Sequence, residues 1–301
     1  MAQPEPRADS MDSKTIGGGM PEHIEKLAGV APAMKTHRAA AWSAQRRQGW
    51  LASAAIAIVL IGALELAARN QWISAMIVAA PSRVMAVLAE GIADGIYLRN
   101  LAASMGALVA GFGLAFVVAV VTAGVLSSSR FLERVLTPYI VAFQSMPKVA
   151  IAPLVVLWLG FGELSKIAIV AIVCFFPMMV NTLQGLRNRN VDHYELLQSL
   201  GASRWQQFWK LRLPHAVPYI FAGVRIGAIF ALIGVVVAEF VGTNSGVGFA
   251  MLQAKAQFDV PGVYACLVLL MLMGLTLNAL TTVCERWVAA RMGTTVDGAG
   301  H

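Results

Sequence analysis

The chain has 301 residues, of which 58% are hydrophobic and only 13% are charged, whereas soluble domains carry about 25% charged residues. This composition favours an integral membrane protein and argues against a soluble globular one. The net charge of +7 does not indicate a nucleic-acid-binding protein, because the basic residues recur in the gaps between apolar runs and form no single stripe.

Residues 1–47 differ from the rest of the chain. Pro, Gly, Ser, Lys and Glu are frequent there, and no apolar periodicity is present. We therefore expect a disordered cytoplasmic tail, because the segment buries too little apolar surface to offset the entropy of ordering. A secretory signal is not expected, since the first apolar run starts late and no small-residue cleavage site fits.

Apolar stretches make up most of the remaining chain, and each is near the roughly 20 residues that a helix needs to cross the hydrocarbon core. They cover residues 50–68, 99–126, 135–158, 164–185, 218–241 and 262–284. Lipid offers no partner to a bare peptide group, so the fold class predicted is an all-α integral membrane protein with six transmembrane helices. The expected divisions are the tail at 1–47, a first helix with an outer loop at 48–98, a membrane core at 99–285, and a C-terminal tail at 286–301.

Lysine and arginine predict the orientation, because cytoplasmic loops carry an excess of these residues. With the N-terminus inside, the tails and the long loop at 190–215 hold most of them. The basic residues left on the outer side are Arg69, Arg83, Arg99, Lys166 and Lys255. We therefore expect both termini to be cytoplasmic.

The outer loop contains a short pattern at helical spacing, formed by Pro81, Ser82, Val84, Val87, Leu88 and Ile92. This pattern predicts a short amphipathic helix. Such a helix either lies at the outer membrane surface or serves as a packed connector.

Ionisable side chains within spans are costly and are therefore functional candidates. Lys148 lies in the third span between Pro147 and Pro153, where helix-breaking prolines free backbone carbonyls. We predict a translocation pathway that includes Lys148, Gln144, Ser145 and Arg225. A structural role is the alternative for Lys148, and Arg225 alternatively reaches the inner interface with its charged head.

Two residue pairs predict helix contacts. Gly223 and Gly227 form a GxxxG pattern, which favours close packing either within the subunit or across a dimer. Glu65 and Arg69 stand four residues apart at the end of the first span and are interpreted as a structural ion pair.

The cysteines are Cys174, Cys266 and Cys284, which lie in or beside apolar runs without CxxC spacing. We interpret them as small buried hydrophobic residues. The histidines are scattered, so neither a metal site nor a bound cofactor is expected.

The polar loop between the fourth and fifth spans contains two helical patterns. Asp192 and Glu195 are typical of a helix N-cap with its capping-box partner, and Gly201 stands where that helix ends in a left-handed residue. Ser203 and Gln206 repeat the capping pattern.

Trp205, Phe208, Trp209 and Leu213 then fall on one side of a second helix, and Pro214 is expected to end it. The result is a helix–Gly–helix elbow. Such an elbow either sits in a groove of a cytoplasmic partner or lies against the bilayer.

The spacing of Glu195, Gly201, Leu213 and Pro214 resembles the EAA loop of ABC importer permeases, in which Glu-Ala-Ala is followed by Gly and then by Ile-x-Leu-Pro. Leu196 and Leu197 replace the two alanines, and Leu211 replaces the isoleucine. The resemblance implies an ATPase-coupling loop formed by Asp192, Glu195, Leu196, Leu197, Gly201, Ala202, Leu213 and Pro214.

Further stretches resemble the nitrate/sulfonate/taurine permease group, at 81–84, 146–167, 175–186, 223–227, 238–240 and 246–251. The resemblance implies a type-I ABC importer permease fold in a bacterial inner membrane. It also implies a second permease copy as homodimer partner, a cytoplasmic ATPase dimer, an extracytoplasmic substrate-binding protein, and a small anion such as a sulfonate, taurine or nitrate as substrate.

No GxxxxGK[ST] motif is present, so we expect no enzymatic activity in this chain and ATP bound only by the partner subunit. An ion-gradient transporter is the main alternative and would be favoured by inverted repeats and carboxylates at mid-membrane. A membrane enzyme would need a polar catalytic cluster. A structural scaffold is opposed only by the elbow.

Overall fold

The computed structural model describes residue 49 and residues 51–74, 76–188, 195, 197 and 199–292. The predicted tail at 1–47 and the end of the C-terminal tail lie outside the described residues, as do Asp192 and Leu196. The described residues form helices and connecting turns without a strand. The chain divides into two compact units, Met1–Ala63 and Leu64–His301, which are described separately.

The first helix, α1, spans Leu51–Arg69 with a mean hydropathy of 2.3. It agrees with the span predicted at 50–68. The part of α1 in the first unit has exposed side chains throughout, as suits a helix whose surroundings are hydrocarbon.

The second unit is a bundle of long apolar helices and shorter connecting helices. Its helices are α2 (Pro81–Ala93), α3 (Ile96–Ser128), α4 (Arg130–Ser145), α5 (Ala152–Leu159), α6 (Glu163–Arg187), α7 (Arg204–Gln207), α8 (Leu213–Gly242), α9 (Val247–Ala256) and α10 (Val260–Met292). Five helices of the described chain are long and apolar enough to cross a membrane, or six if one bent pair counts as a span.

The third predicted span, 135–158, is not one straight helix. It consists of α4 and α5, joined through a short 3₁₀ helix at Lys148–Ile151, with a bend of 84° between the two halves. Pro147 and Pro153 explain the break, because each lacks an N–H and disfavours helical backbone in the residue before it. The predicted number of six spans therefore holds if this bent pair is one span, and the break lies at the helix-breaking prolines.

The core of the second unit is α6, which contacts both α3 and α8 along most of its length. Small residues at every fourth position of α3 face inward and are buried: Ala107, Gly111, Ala115, Ala119 and Ala123. A Cβ atom added to Gly111 would lie 2.7 Å from Cβ of Val170 on α6. Small residues let helix backbones approach closely, which is how membrane helices gain packing energy.

The GxxxG pattern of α8 serves the same purpose within the subunit. An added Cβ atom at Gly223 would lie 3.2 Å from Cα of Met178, and one at Gly227 would lie 2.5 Å from Cε of the same residue. Of the two open possibilities for this pattern, the intramolecular contact is the one that the structure shows.

The amphipathic helix predicted at the outer loop is α2, and it is a packed connector. Val84 and Leu88 are buried in the main apolar cluster of the bundle. Ser82 donates hydrogen bonds of 2.9 Å from its backbone N–H and 2.7 Å from its hydroxyl to Glu65. Glu65 also accepts a 2.6 Å bond from Arg69, as predicted from their spacing.

The cysteines only partly match their interpretation. Cys174 and Cys266 are buried, whereas Cys284 is exposed in the single chain. Leu280, Val283 and Trp287 of α10 are exposed as well, so the place of Cys284 in an apolar run did not imply burial.

Candidate functional site

The elbow, defined as the described residues between 195 and 214, begins with a helix end stabilised by glycine. Gly201 has a φ of +74°, and the N–H of Ala202 donates a 3.0 Å bond to the carbonyl of Leu197. A bond of this span with a left-handed glycine just before the donor residue is the Schellman arrangement that ends many helices. The left-handed conformation predicted for Gly201 is therefore confirmed.

The second half of the elbow starts with a reciprocal capping box. The N–H of Ser203 donates to the Gln206 side chain at 2.9 Å, and the N–H of Gln206 donates to the Ser203 hydroxyl at 3.3 Å. Two backbone groups at the start of α7 are thereby satisfied. Gln207 is buried and closes the turn by donating a 2.9 Å bond to the carbonyl of Ala202.

The aromatic side chains after this cap contact one another. The Trp205 and Phe208 rings stack with their centroids 6.4 Å apart, and Trp209 meets Trp205 edge to face at 5.5 Å. Trp205 and Trp209 are also exposed. The elbow therefore presents a rigid apolar surface next to its polar residues, as a docking helix does.

Pro214 does not end the second helix, contrary to the prediction. A π-helical turn at Phe208–Arg212 leads directly into α8 at Leu213, so the helix continues from Trp205 to Gly242 over 38 residues. In a regular α-helix the proline ring would clash with the carbonyl four residues earlier. The wider π turn ahead of Pro214 relieves that clash.

Three of the four predicted pathway residues, Gln144, Ser145 and Lys148, lie at the break between α4 and α5. The Lys148 ammonium donates a 3.2 Å bond to the carbonyl of Gln144 and lies 5.7 Å from the ring centre of Phe176 and 6.0 Å from that of Phe230. No ion pair in the described part of the chain includes Lys148. Its charge is thus balanced by a carbonyl dipole and two ring faces, which leaves it able to attract an anion.

Arg225, the fourth predicted pathway residue, does not lie with Lys148. Its guanidinium pairs with Glu285 of α10 at 2.5 Å. Ser145 donates its hydroxyl to the carbonyl of Val141 within α4. The structure therefore groups Gln144, Ser145 and Lys148 and places Arg225 in a separate ion pair.

A buried polar network, which sequence reasoning missed, lies at the opposite end of the bundle from the elbow. Glu239 accepts a 2.6 Å bond from the Ser104 hydroxyl and a 2.7 Å bond from the N–H of Gly248. Ser104 in turn accepts a 2.8 Å bond from the N–H of Val247. Three helices, α3, α8 and α9, are joined through one carboxylate.

Lys166 brings α6 into this network. Its ammonium lies 3.8 Å from Glu239, with both side chains fully buried, and 2.7 Å from the half-exposed Glu163. It also donates to the carbonyl and hydroxyl of Ser245, each at 3.2 Å. Lys166 is therefore not the outer-loop residue expected from its position beside an apolar run.

Gly246 shows how closely the loop after α8 fits this network. Its φ is +117°, and an added Cβ atom would lie 1.9 Å from Glu239 Oε1. The Gly246 N–H also donates a 2.9 Å bond to Asn100. The signal for this site was present in AEF (238–240) and GVGFAM (246–251), but the pairing across 135 residues from Ser104 to Glu239 cannot be read from local spacing.

Comparison with known proteins gives a family match and relatives that are named for several different substrates. The family described as "binding-protein-dependent transport system inner membrane component" matches residues 111–293. The formylaminopyrimidine transport permease of Halalkalibacterium halodurans is 33% identical, with 65% of this chain and 78% of that protein aligned. A putative aliphatic sulfonates transport permease of Bacillus subtilis is 28% identical, with 80% and 88% aligned.

A solved structure supports the fold. The crystal structure of an amino acid ABC transporter with histidines superposes with a TM-score of 0.53 at 14% sequence identity. The superposition covers 66% of this chain and 97% of the other. At this identity the likeness concerns the fold alone.

Proposed function

The chain belongs to the family of inner-membrane components of binding-protein-dependent transport systems, and from this premise we propose how its sites divide the work of an ATP-driven importer. The elbow receives the movement of a separate cytoplasmic ATPase, and the break at Lys148 lies on the solute pathway. The observation that carries this proposal is that the family match at 111–293 includes both sites.

The elbow suits ATPase coupling because it is locally rigid and apolar on its surface. A Schellman end at Gly201 and a capping box at Ser203 fix the directions of its two helices. The exposed rings of Trp205 and Trp209 offer contact area that loses little conformational entropy on docking. This assignment places the elbow, both termini and the ATPase on the cytoplasmic side, in accord with the excess of basic residues there.

The transported solute is proposed to be a small organic anion, as the resemblance to sulfonate permeases implies. Support comes from Lys148. Its ammonium contacts a carbonyl and two rings and forms no ion pair with a carboxylate in the described part of the chain. Ionisable side chains within spans mark substrate pathways, and broken helices in transporters hold substrate sites within the membrane.

A second candidate is an aromatic heterocycle, and one observation favours it. The surroundings of Lys148 are rich in phenylalanine: Phe176 stacks with Phe143 at 6.1 Å and meets Phe175 edge to face at 5.0 Å, and Phe230 flanks the ammonium. Such rings can stack on a planar ring, and one relative is named for formylaminopyrimidine.

The coupling proposal is tested with Gly201→Val. A residue with a Cβ in the left-handed conformation costs about 1 kcal/mol or more, and the branched side chain raises this cost, so the helix ending there is misdirected. We expect the variant to reach the membrane normally but to co-purify less ATPase and to support less uptake. The matched control is Gly95→Val, which has a similar φ of +72° but lies between α2 and α3. Full ATPase binding by Gly201→Val would reject the coupling assignment.

The substrate class is tested with the purified complex in liposomes. ATPase activity stimulated by the binding protein is measured with an alkanesulfonate and, separately, with an aminopyrimidine. Stimulation and uptake with the sulfonate alone would support the anion proposal. Stimulation with the pyrimidine alone would favour the second candidate.

A further inference from the structure

Helix α4, which has predicted pathway residues at its far end, is bounded by a break on each side. Ser129 separates it from α3 and has an extended backbone, with φ −135° and ψ 116°. The 3₁₀ helix that begins at Lys148 separates it from α5. Residues at the ends of elements are the ones that absorb the rotations of a hinge motion. Helix α4 is therefore built to move as one rigid segment between two hinges.

Packing within the subunit fixes the direction of α4 only weakly. Among its described side chains at 131–145, only that of Glu133 is buried. Leu136 and Ile140 are half-buried and pack against the main apolar cluster, whereas Phe131 and Tyr139 are exposed in the single chain. Apolar contacts are non-directional, so these few do not determine the tilt of the helix.

The Glu133 carboxylate ties the start of α4 to the chain that leads into the elbow. Its Oε1 atom lies 2.5 Å from Nη2 of Arg187, which is the last residue of α6. The next residue, Asn188, donates its side-chain N–H to the hydroxyl of Tyr219 on α8. Two consecutive residues ahead of the elbow are thus bonded to α4 and to α8, the helix that continues from the elbow.

We propose, on the basis of the coupling role assigned to the elbow, that Glu133 and Arg187 are positioning residues for transport. When ATP binding moves the elbow, Arg187 draws the start of α4 with it, and α4 turns about its two breaks. Its opposite end holds Gln144, whose carbonyl accepts from Lys148, so the turn changes the surroundings of the Lys148 ammonium. An ion pair suits this task because it is directional and, when partly buried, is little screened by salt.

The position of α4 is measured by fluorine NMR, with a trifluoromethyl label on Ala142→Cys in a Cys284→Ser background. Ala142 is exposed on α4, and the remaining cysteines, Cys174 and Cys266, are buried. The importer complex in nanodiscs is compared without nucleotide and with ATP in the absence of magnesium, so that ATP binds without hydrolysis. We expect ATP to change the ratio of two label signals at least about fivefold, the lower end of typical coupling between sites.

Glu133→Gln and Arg187→Gln should each leave this ratio nearly unchanged by ATP. The double variant should lose no more than either single variant, because two residues that act through one contact are not additive. Arg187→Lys, which keeps the charge, should retain part of the response. Arg134→Gln is the matched control, since Arg134 is the next residue of α4 and is exposed, and it should respond to ATP as the parent does.

Co-purification of the ATPase is measured on the same samples, because it separates transmission from docking. Normal co-purification with a lost response in both single variants would support the proposal. A parent-like response in either of them would overturn it and leave the coupling role of the elbow intact, which Gly201→Val tests independently. Reduced co-purification in Glu133→Gln would also overturn it, since the pair would then serve ATPase docking. So would an equal loss in Arg134→Gln, or the absence of any response in the parent protein.

Discussion

Replacing Glu239 with glutamine should destabilise the bundle far more than the same change at Glu163, although Glu163 lies nearer to Lys166. The Glu163 carboxylate is 2.7 Å from the Lys166 ammonium but 56% exposed, whereas Glu239 is 3.8 Å away and fully buried. Exposed ion pairs contribute about 0–1 kcal/mol. Breaking a buried pair by removing one partner costs about 3–5 kcal/mol.

The hydrogen bonds of Glu239 give the magnitude. Both carboxylate oxygens accept, one from Ser104 and the other from Gly248, so an amide NH₂ in place of either oxygen faces a donor. Leaving one buried donor unsatisfied costs about 1–3 kcal/mol. Lys166 keeps Glu163 as a partner, so we expect a total near the lower limit for a broken buried pair, about 3 kcal/mol, which is roughly a hundredfold in the folding equilibrium.

The assay uses the buried Cys174 as a reporter, because a thiol-reactive dye labels it only after unfolding. In a Cys284→Ser, Cys266→Ser background, the permease is titrated with denaturing detergent and labelling is followed. The free energy of unfolding should fall clearly in Glu239→Gln. In Glu163→Gln it should stay within about 1 kcal/mol of the parent value. Equal or larger destabilisation by Glu163→Gln would refute the argument that burial outweighs distance here.

Further outcomes follow from the same contacts. In a Cys284→Ser background, the introduced thiol of Lys210→Cys should resist an impermeant outside reagent in intact cells and react in inverted vesicles. Labelling from outside would reject the proposed orientation. Lys148→Met should lower uptake of an anionic substrate without reducing ATPase binding, while Lys148→Arg retains more uptake; unchanged uptake kinetics in Lys148→Met would make the residue structural. Gly246→Ala should destabilise the permease at least as much as Glu239→Gln in the detergent titration, because its Cβ would meet the buried carboxylate; parent-like stability would contradict the close fit.

The sequence predicted the long helices well because the membrane imposes one requirement on all of them. Peptide groups in hydrocarbon must bond within their own segment, so α3, α6 and α10 follow directly from long apolar runs. The elbow could also be located from the sequence, because helix caps and left-handed glycines depend only on neighbouring residues. Gly201 and the Ser203–Gln206 box could thus be predicted without tertiary information.

Local reasoning failed where distant residues determine the structure. Hydropathy could not separate a broken span from a straight one at α4 and α5, since both are apolar. The role of Lys166 could not be read because its buried partner Glu239 lies on another helix. Pro214 was misjudged for a similar reason, as the π turn that accommodates it has no simple sequence signature.

The elbow and the span after it form one continuous helix from Trp205 to Gly242. With a rise of about 1.5 Å per residue, its 38 residues extend for about 57 Å, well over the roughly 30 Å hydrocarbon thickness. Glu239 stands near the far end, bonded to the N–H of Gly248 beyond the loop. Under the coupling role proposed above, a tilt imposed at Trp205 would reach Glu239 through one continuous helix, past Gly223 and Gly227, which pack on Met178.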